Sequence, residues 1–279
     1  MTKVERITNT LQETRQRRET QKPTVYELKL QNLSKRKAEV LRKAFLEAKW
    51  LYIWLVSDTE RLGIPANKVS AVEVKAGDSY EQRELTVLGS QIKQEIADRL
   101  KDNLLALGKL KKNGRKVGAL KCKRFVNSIP LKQYGVTYNL DFARNRVRIQ
   151  KLGKFRVLGL HQIPADAEIA NAVLLRKPNG YYLHVTCYLP KDSRTSPNPI
   201  DKDIGIDFGV SPKLTLSNGI RIDFEVHETP RLKQLQRKLA GTQKGSRNRE
   251  RIQFLLRKEY EKVNNRRKDA QNKVLAFLK

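Results

Sequence analysis

Residues 24–31 alternate strictly, with Tyr26, Leu28 and Leu30 on one side and Glu27, Lys29 and Gln31 on the other. A period of two predicts a half-buried strand. The preceding residues 1–22 are polar and charged, with Ile7 and Leu11 an apolar pair at helical spacing. They predict a frayed helix or a tail that Pro23 ends. Ser34 suits a helix N-cap. Beyond it Leu41, Phe45, Ala48, Tyr52 and Leu55 recur in steps of four and three, which is one helix face. Trp50 and Trp54 stand off that stripe, either as a second buried face or as a base-stacking pair. Leu88, Ile92, Ile96, Leu100 and Leu104 predict a second long helix over about 86–107, stopped by Gly108. Gln91, Lys93, Gln94 and Arg99 fall on its polar side and are expected in solvent.

After Arg124 the pattern returns to short strands, expected over 146–152, 155–160, 172–176 and 181–189. Lys177-Pro178-Asn179-Gly180 reads as the hairpin turn joining the last two. The early strand and this later β region therefore suit one barrel, split by an all-helical insertion. Residues 191–202 hold two prolines among Ser, Thr and Asp, the composition of a linker. The expected organisation is a polar tail or helix over 1–22, a first barrel strand over 23–33 and a helical lobe over 34–120. The rest of the barrel follows over 121–190, then the linker over 191–202 and a last domain over 203–279.

Composition narrows the function. With 39% hydrophobic residues in 279, the chain can bury a core, so disorder is excluded as its main state. No apolar stretch nears the ~20 residues of a membrane helix, and the first residues lack the apolar core of a secretory signal. Cys122 and Cys187 form no Cys-x-x-Cys pair. A reduced, cytoplasmic protein is expected. Charge is the strongest signal: 58 Lys and Arg against 29 Asp and Glu give a net +29. Such self-repulsion points to a polyanionic partner, with nucleic acid first. The cations are clustered. Residues 109–124 hold eight and no acid, Lys121, Lys123 and Arg124 among them, and residues 231–279 hold 16 against four acids. Such blocks explain affinity and salt dependence but carry no sequence preference.

Chemistry concentrates in Asp203-Ile-Gly-Ile-Asp207-Phe-Gly-Val210. Here a carboxylate sits mid-strand in an apolar run, costly to bury without a partner such as a metal ion. Two more strands are expected around the turn Ser217-Asn218-Gly219, then a long helix. Three strands joined by turns and followed by a helix open an RNase H-like domain. In two-metal phosphoryl hydrolysis such a carboxylate, Asp207, belongs to a cluster that holds Mg²⁺. An Asp at a strand end without catalytic work fits the same residues. The phosphate-binding opening of actin-like ATPases is excluded, because only 72 residues follow Asp207 and no second Gly-rich loop appears.

Several spaced motifs resemble one family. Ile204-Gly-Ile-Asp-Phe-Gly209 with Leu214-x-Leu-x-Asn-Gly219 resembles the RuvC-I segment of TnpB (OrfB) proteins of insertion sequences, relatives of type V CRISPR nucleases. Leu232-Lys-Gln-Leu-Gln-Arg-Lys-Leu239, Lys244-Gly-Ser-Arg-Asn-Arg249 and Asn265-Arg-Arg-Lys-Asp269 continue the likeness. Upstream, Leu46-Glu-Ala-Lys-Trp-Leu-Tyr52, Ser90-Gln-x-x-Gln94, Asn127-Ser128 and Gln133-Tyr-Gly135 fall in the family's order. The resemblance implies an α+β or α/β architecture. A wedge-type barrel carries an inserted helical recognition lobe and is followed by a partial RuvC domain. It implies guide RNA and double-stranded DNA as partners, no membrane, and a cytoplasmic, nucleoid-associated place. Gln94, Asn127 and Ser128 would lie at a DNA-reading surface. Arg237, Lys244, Arg247, Arg249, Arg266 and Arg267 would follow the nucleic-acid backbone. The family's centre uses three carboxylates and a Cys-x-x-Cys zinc element. Only Asp207 transfers, and Asp223 and Glu225 have no such role in the family. The chain is therefore expected to be a C-terminally truncated, cleavage-inactive nucleic-acid binder with an incomplete Mg²⁺ site. The alternatives are a nuclease-dead guided repressor and a generic basic binder.

Overall fold

A computed structural model of the chain describes residues 2–191, 204–211 and 213–278. The chain divides into two compact units, residues 1–193 and 194–279. Of the linker expected over 191–202, all but Lys191 lies outside the described residues. Every pairing between the named strands is antiparallel, so the described fold is α+β rather than α/β.

The first unit opens with α1 (Lys3–Glu19), the helix of the two expected readings, capped at its start rather than frayed. Thr2 and Glu5 exchange hydrogen bonds as a capping box, satisfying two N–H groups that would otherwise be bare. Thr20 ends it. Pro23 lies inside the next strand, β1 (Gln21–Gln31), and terminates nothing. Tyr26, Leu28 and Leu30 are buried, as their alternation predicts. Helix α2 (Lys35–Ser57) starts at Ser34, whose hydroxyl accepts from the Lys37 N–H, and buries the whole stripe from Leu41 to Leu55. A hairpin follows, β2 (Ala71–Ala76) and β3 (Ser79–Glu84), so the insertion is not all-helical. Strand β3 is exposed at every position and leaves no alternating signal.

Helix α3 runs over Ser90–Lys112, later than predicted at both ends. Gly108 does not stop it. A helical glycine costs about 1 kcal/mol, which neighbouring turns absorb, and the helix ends at Asn113 before Gly114 at φ 74°. Lys93 is not in solvent either. It is 6% exposed and donates to the Val69 carbonyl at 2.5 Å. Burial, aided by the charge of Lys151, lowers its pKa from the ordinary lysine value.

The remaining strands are β4 (Ser128–Leu131), β5 (Tyr138–Asp141), β6 (Arg146–Ile149), β7 (Gly153–Leu158), β8 (Glu168–Lys177) and β9 (Gly180–Pro190). With β1 they form a seven-stranded, nearly closed barrel in the order β4-β8-β9-β1-β7-β6-β5. Sequence reading missed β4 and β5, both only four residues long. Pro130 in β4 argued against a strand, yet β4 is an edge, where proline is tolerated. Lys177 and Gly180 pair across the expected two-residue turn, with Gly180 at φ 140°. One continuous core joins the barrel's Leu28, Ile129, Phe155 and Leu183 to Leu51 of α2 and Ile92 of α3. Each such leucine contributes about 1.5–3 kcal/mol on burial.

The second unit holds a three-stranded sheet, β10 (Ile206–Phe208), β11 (Leu214–Leu216) and β12 (Arg221–Ile222). Two helices follow, α4 (Pro230–Ala240) and α5 (Arg247–Phe277). Thr229 and Ser246 cap them through hydroxyls that accept the N–H of Leu232 and Arg249.

Candidate nucleic-acid interface

In the first unit, residues 114–127 cross from α3 to β4 as an irregular strap. The Tyr52 hydroxyl donates to the Lys121 carbonyl at 3.3 Å and ties the strap to α2. Burial raises that tyrosine's pKa above its ordinary value, so the hydroxyl stays a donor at neutral pH. The Lys123 ammonium stands 4.7 Å from the Tyr52 ring, a cation–π contact that fixes where this charge points.

Beneath the strap is a cavity of about 270 Å³. Lys123, Asn127 and Ser128 line it together with Arg99, Asn103 and Phe125. Three residues selected by sequence thus share one concave site. Arg124 lines a neighbouring groove instead, Lys121 contributes its backbone to the Tyr52 anchor, and Gln94 does not line the cavity of Asn127 and Ser128. Sequence reading placed Arg99 on a solvated face, where it is indeed exposed, and did not single out Asn103 or Phe125. The available signal for Phe125 was a lone aromatic amid eight cations.

In the second unit α4 and α5 pack antiparallel. The Gln236 amide donates to the Tyr260 hydroxyl at 2.8 Å, and Arg231 and Lys262 approach the buried Glu259 at 3.5 and 2.8 Å. The Lys262 hydrogen bond holds the Glu259 carboxyl below its ordinary pKa, with Arg231 adding to it. Arg237, Lys244, Arg247, Arg266 and Arg267 are exposed on this hairpin. Arg249 differs. Its Nη1 donates to the carbonyls of Leu239 and Thr242 at 3.0 and 2.7 Å, closing the end of α4.

Asp207 is also placed differently from the expectation. It is exposed, not sunk in an apolar run. Its register neighbour is Thr215, whose own neighbour is Arg221, so the three share the polar face of the sheet. Ile206 and Phe208 point to the opposite face. No desolvation penalty therefore demands a metal. Asp223 and Glu225 are exposed too, and Glu225 pairs with His227 at 3.2 Å. Among the described residues no three His, Cys, Asp or Glu side chains gather where they could hold a metal ion. The donor set described around Asp207 does not fit Mg²⁺, which needs near-octahedral oxygen coordination.

Residues 184–278 match the model of a family described as OrfB_IS605, probable transposase. The match covers a third of the chain and supports a likeness to the TnpB/OrfB family over that part. The match runs from within β9 through Asp207 and the whole of α5. The cavity with Asn127 and Ser128 lies outside it. No curated protein matches the chain significantly. Among the described residues no helix is long and apolar enough to cross a membrane.

Proposed function

We propose that this chain is a transposon-associated, TnpB-like protein that holds a guide RNA and a double-stranded DNA target. In this reading base pairing chooses the DNA sequence, while the protein grips backbones and reads a short flanking motif. The observation that carries it is the family match over the second unit, whose α4–α5 hairpin presents five exposed cations from the sequence motifs. The three strands and following helices of that unit support a partial RuvC, RNase H-like domain. The cavity of Arg99, Asn103, Lys123, Asn127 and Ser128 supports the DNA-reading role: amides and a hydroxyl can address base edges while cations address phosphate. Asp207 is assigned as the first nuclease carboxylate. In this reading the chain binds without cutting by itself, Asp207 being the one carboxylate of the family's three that its motifs supply. Mg²⁺ would act only in a centre that brings more carboxylates to Asp207. A cytoplasmic, nucleoid-associated place follows from the same partners.

The test is to purify the full chain through a high-salt wash and sequence the nucleic acid that remains. One discrete RNA species is the expected result. A heterogeneous mixture, or none, would overturn the guided reading and leave a generic polyanion binder.

A further inference from the structure

Beside the Asn127 cavity runs a second one of about 480 Å³, between the first half of α2, residues 124–126 and Arg176 of β8. Its size falls in the ~300–1,000 Å³ range of small-ligand sites, but its lining is unlike theirs. Three aromatics line it: Phe45, buried in the core; Trp50, half-buried, whose inner side packs on the core and whose ring centroid lies 5.8 Å from the Arg83 guanidinium; and Phe125, 49% exposed. Around them stand Lys43, Lys49, Arg124 and Arg176. The lining's acid, Glu39, is already bound by Arg42 in a hydrogen-bonded ion pair. No amide or hydroxyl side chain lines this groove, in contrast to its neighbour.

Each property selects the ligand. Clustered cations call for phosphates. The exposed Phe125 and half-buried Trp50 beside them call for a π-face, which a nucleic acid offers where a base has left its stack. A duplex keeps its bases inside. With no amide or hydroxyl side chain in the lining, the groove lacks the bidentate partner of adenine and the usual side-chain partners of a 2′-hydroxyl, and its cations are left to the phosphates.

We propose that this groove holds single-stranded nucleic acid, with a base stacked against Trp50 and Phe125 and the flanking phosphates on Lys43, Lys49 and Arg176. The proposal rests on the chain being a nucleic-acid binder and specifies a sequence-indifferent, sugar-indifferent grip on one unpaired strand.

Tryptophan emission tests it directly, because the chain has two Trp residues and Trp54→Phe leaves Trp50 as the sole indole. The probes are (dA)₈, (rA)₈, an abasic DNA octamer and a blunt 20-base-pair duplex, added to the full chain and to the Trp54→Phe variant in parallel. Both adenine strands should quench Trp50 saturably, with dissociation constants within about threefold of each other. The abasic octamer and the duplex should bind through charge without quenching. Phe125→Ala should weaken adenine-strand binding about tenfold, the scale of one lost base–aromatic stack, at unchanged salt slope. Phe125 is half-exposed, and the quench itself requires no substitution in the groove. Single strands that bind with ordinary salt dependence but leave the emission unchanged would overturn the groove while leaving nucleic-acid binding intact. Quenching by only one of the two sugars would overturn the sugar-indifferent grip. Failure of every probe to bind would remove the wider reading together with the groove.

Discussion

Glu47 shows how much one side chain can organise. It lies on α2 between Ala44 and Leu51, both fully buried, and is itself 0% exposed. Its carboxylate accepts hydrogen bonds from the N–H groups of Thr86, Val87 and Leu88 and from the Thr86 hydroxyl. It thereby fixes the chain entering α3, whose N-cap Gly89 has no side chain for the task. Glu47→Ala takes the acceptor from three backbone donors, of which that of Leu88 is buried and that of Val87 half-buried, and should cost about 3 kcal/mol, read as a lower urea midpoint at constant slope. A loss under 1 kcal/mol would show that water replaces the carboxylate. Glu168 gives a pH test. The Arg17 hydrogen bond holds its carboxyl below the usual 4.5, against partial burial and helped by Arg18. A carboxyl depressed on folding adds stability that is present above its unfolded value and lost as pH falls through the folded one. Acidification from pH 6 to below 4 should therefore release α1 from the barrel, seen as a shift of its backbone NMR signals. In Glu168→Gln the tether should be weak throughout, with no transition in that window. At this scale the sequence was only partly legible. Glu47 was not singled out, since it falls between the stripe positions Phe45 and Ala48, and nothing local separates Arg249, which caps a helix, from Arg247, which is exposed.

Helices proved easier to read than strands because their periodic stripes are long. Five positions mark α2, while β5 offers four residues and β12 two, too few for a period to emerge. The α4–α5 hairpin carries the element-scale prediction. Arg249→Ala should uncap α4 and speed amide exchange over residues 231–242, at a cost of about 1 kcal/mol. The double change Arg266→Ala with Arg267→Ala should leave melting unaltered. It should instead weaken duplex binding and reduce the slope of log K against log salt by about one per cation that meets a phosphate. Equal effects of the two sets on stability and binding would contradict the division between holding the hairpin and holding the ligand. The Asp207 motif was legible as a strand, but its burial was not. Whether an alternating segment faces a core depends on what covers the sheet, which the segment itself does not encode.

For the whole molecule, +29 in 279 residues makes counterion release the main driving force of any association with nucleic acid. Affinity for a random duplex should fall by about a thousandfold between 50 and 200 mM salt, as expected for about six phosphate contacts. A fall of less than tenfold in an equilibrium titration would mean that the cations do not face the ligand together. The barrel plan was legible because β1 and β9 share a clear alternation. The edge strands were not, since their length and Pro130 hide them. The split barrel also has a consequence in time. Strand β1 meets β9 in a register that sets Val25 against Thr186, so the first strand made must wait for one of the last. At roughly 5–20 residues per second, a ribosome needs on the order of ten to thirty seconds to supply the partner. In that interval Tyr26, Leu28 and Leu30 emerge without the neighbours that cover them. The helices of the insertion, built from local contacts, can form while β1 waits. Arrested nascent chains that stop before β9 should accordingly be cut by protease within β1, and chains that expose all of β9 beyond the exit tunnel should not.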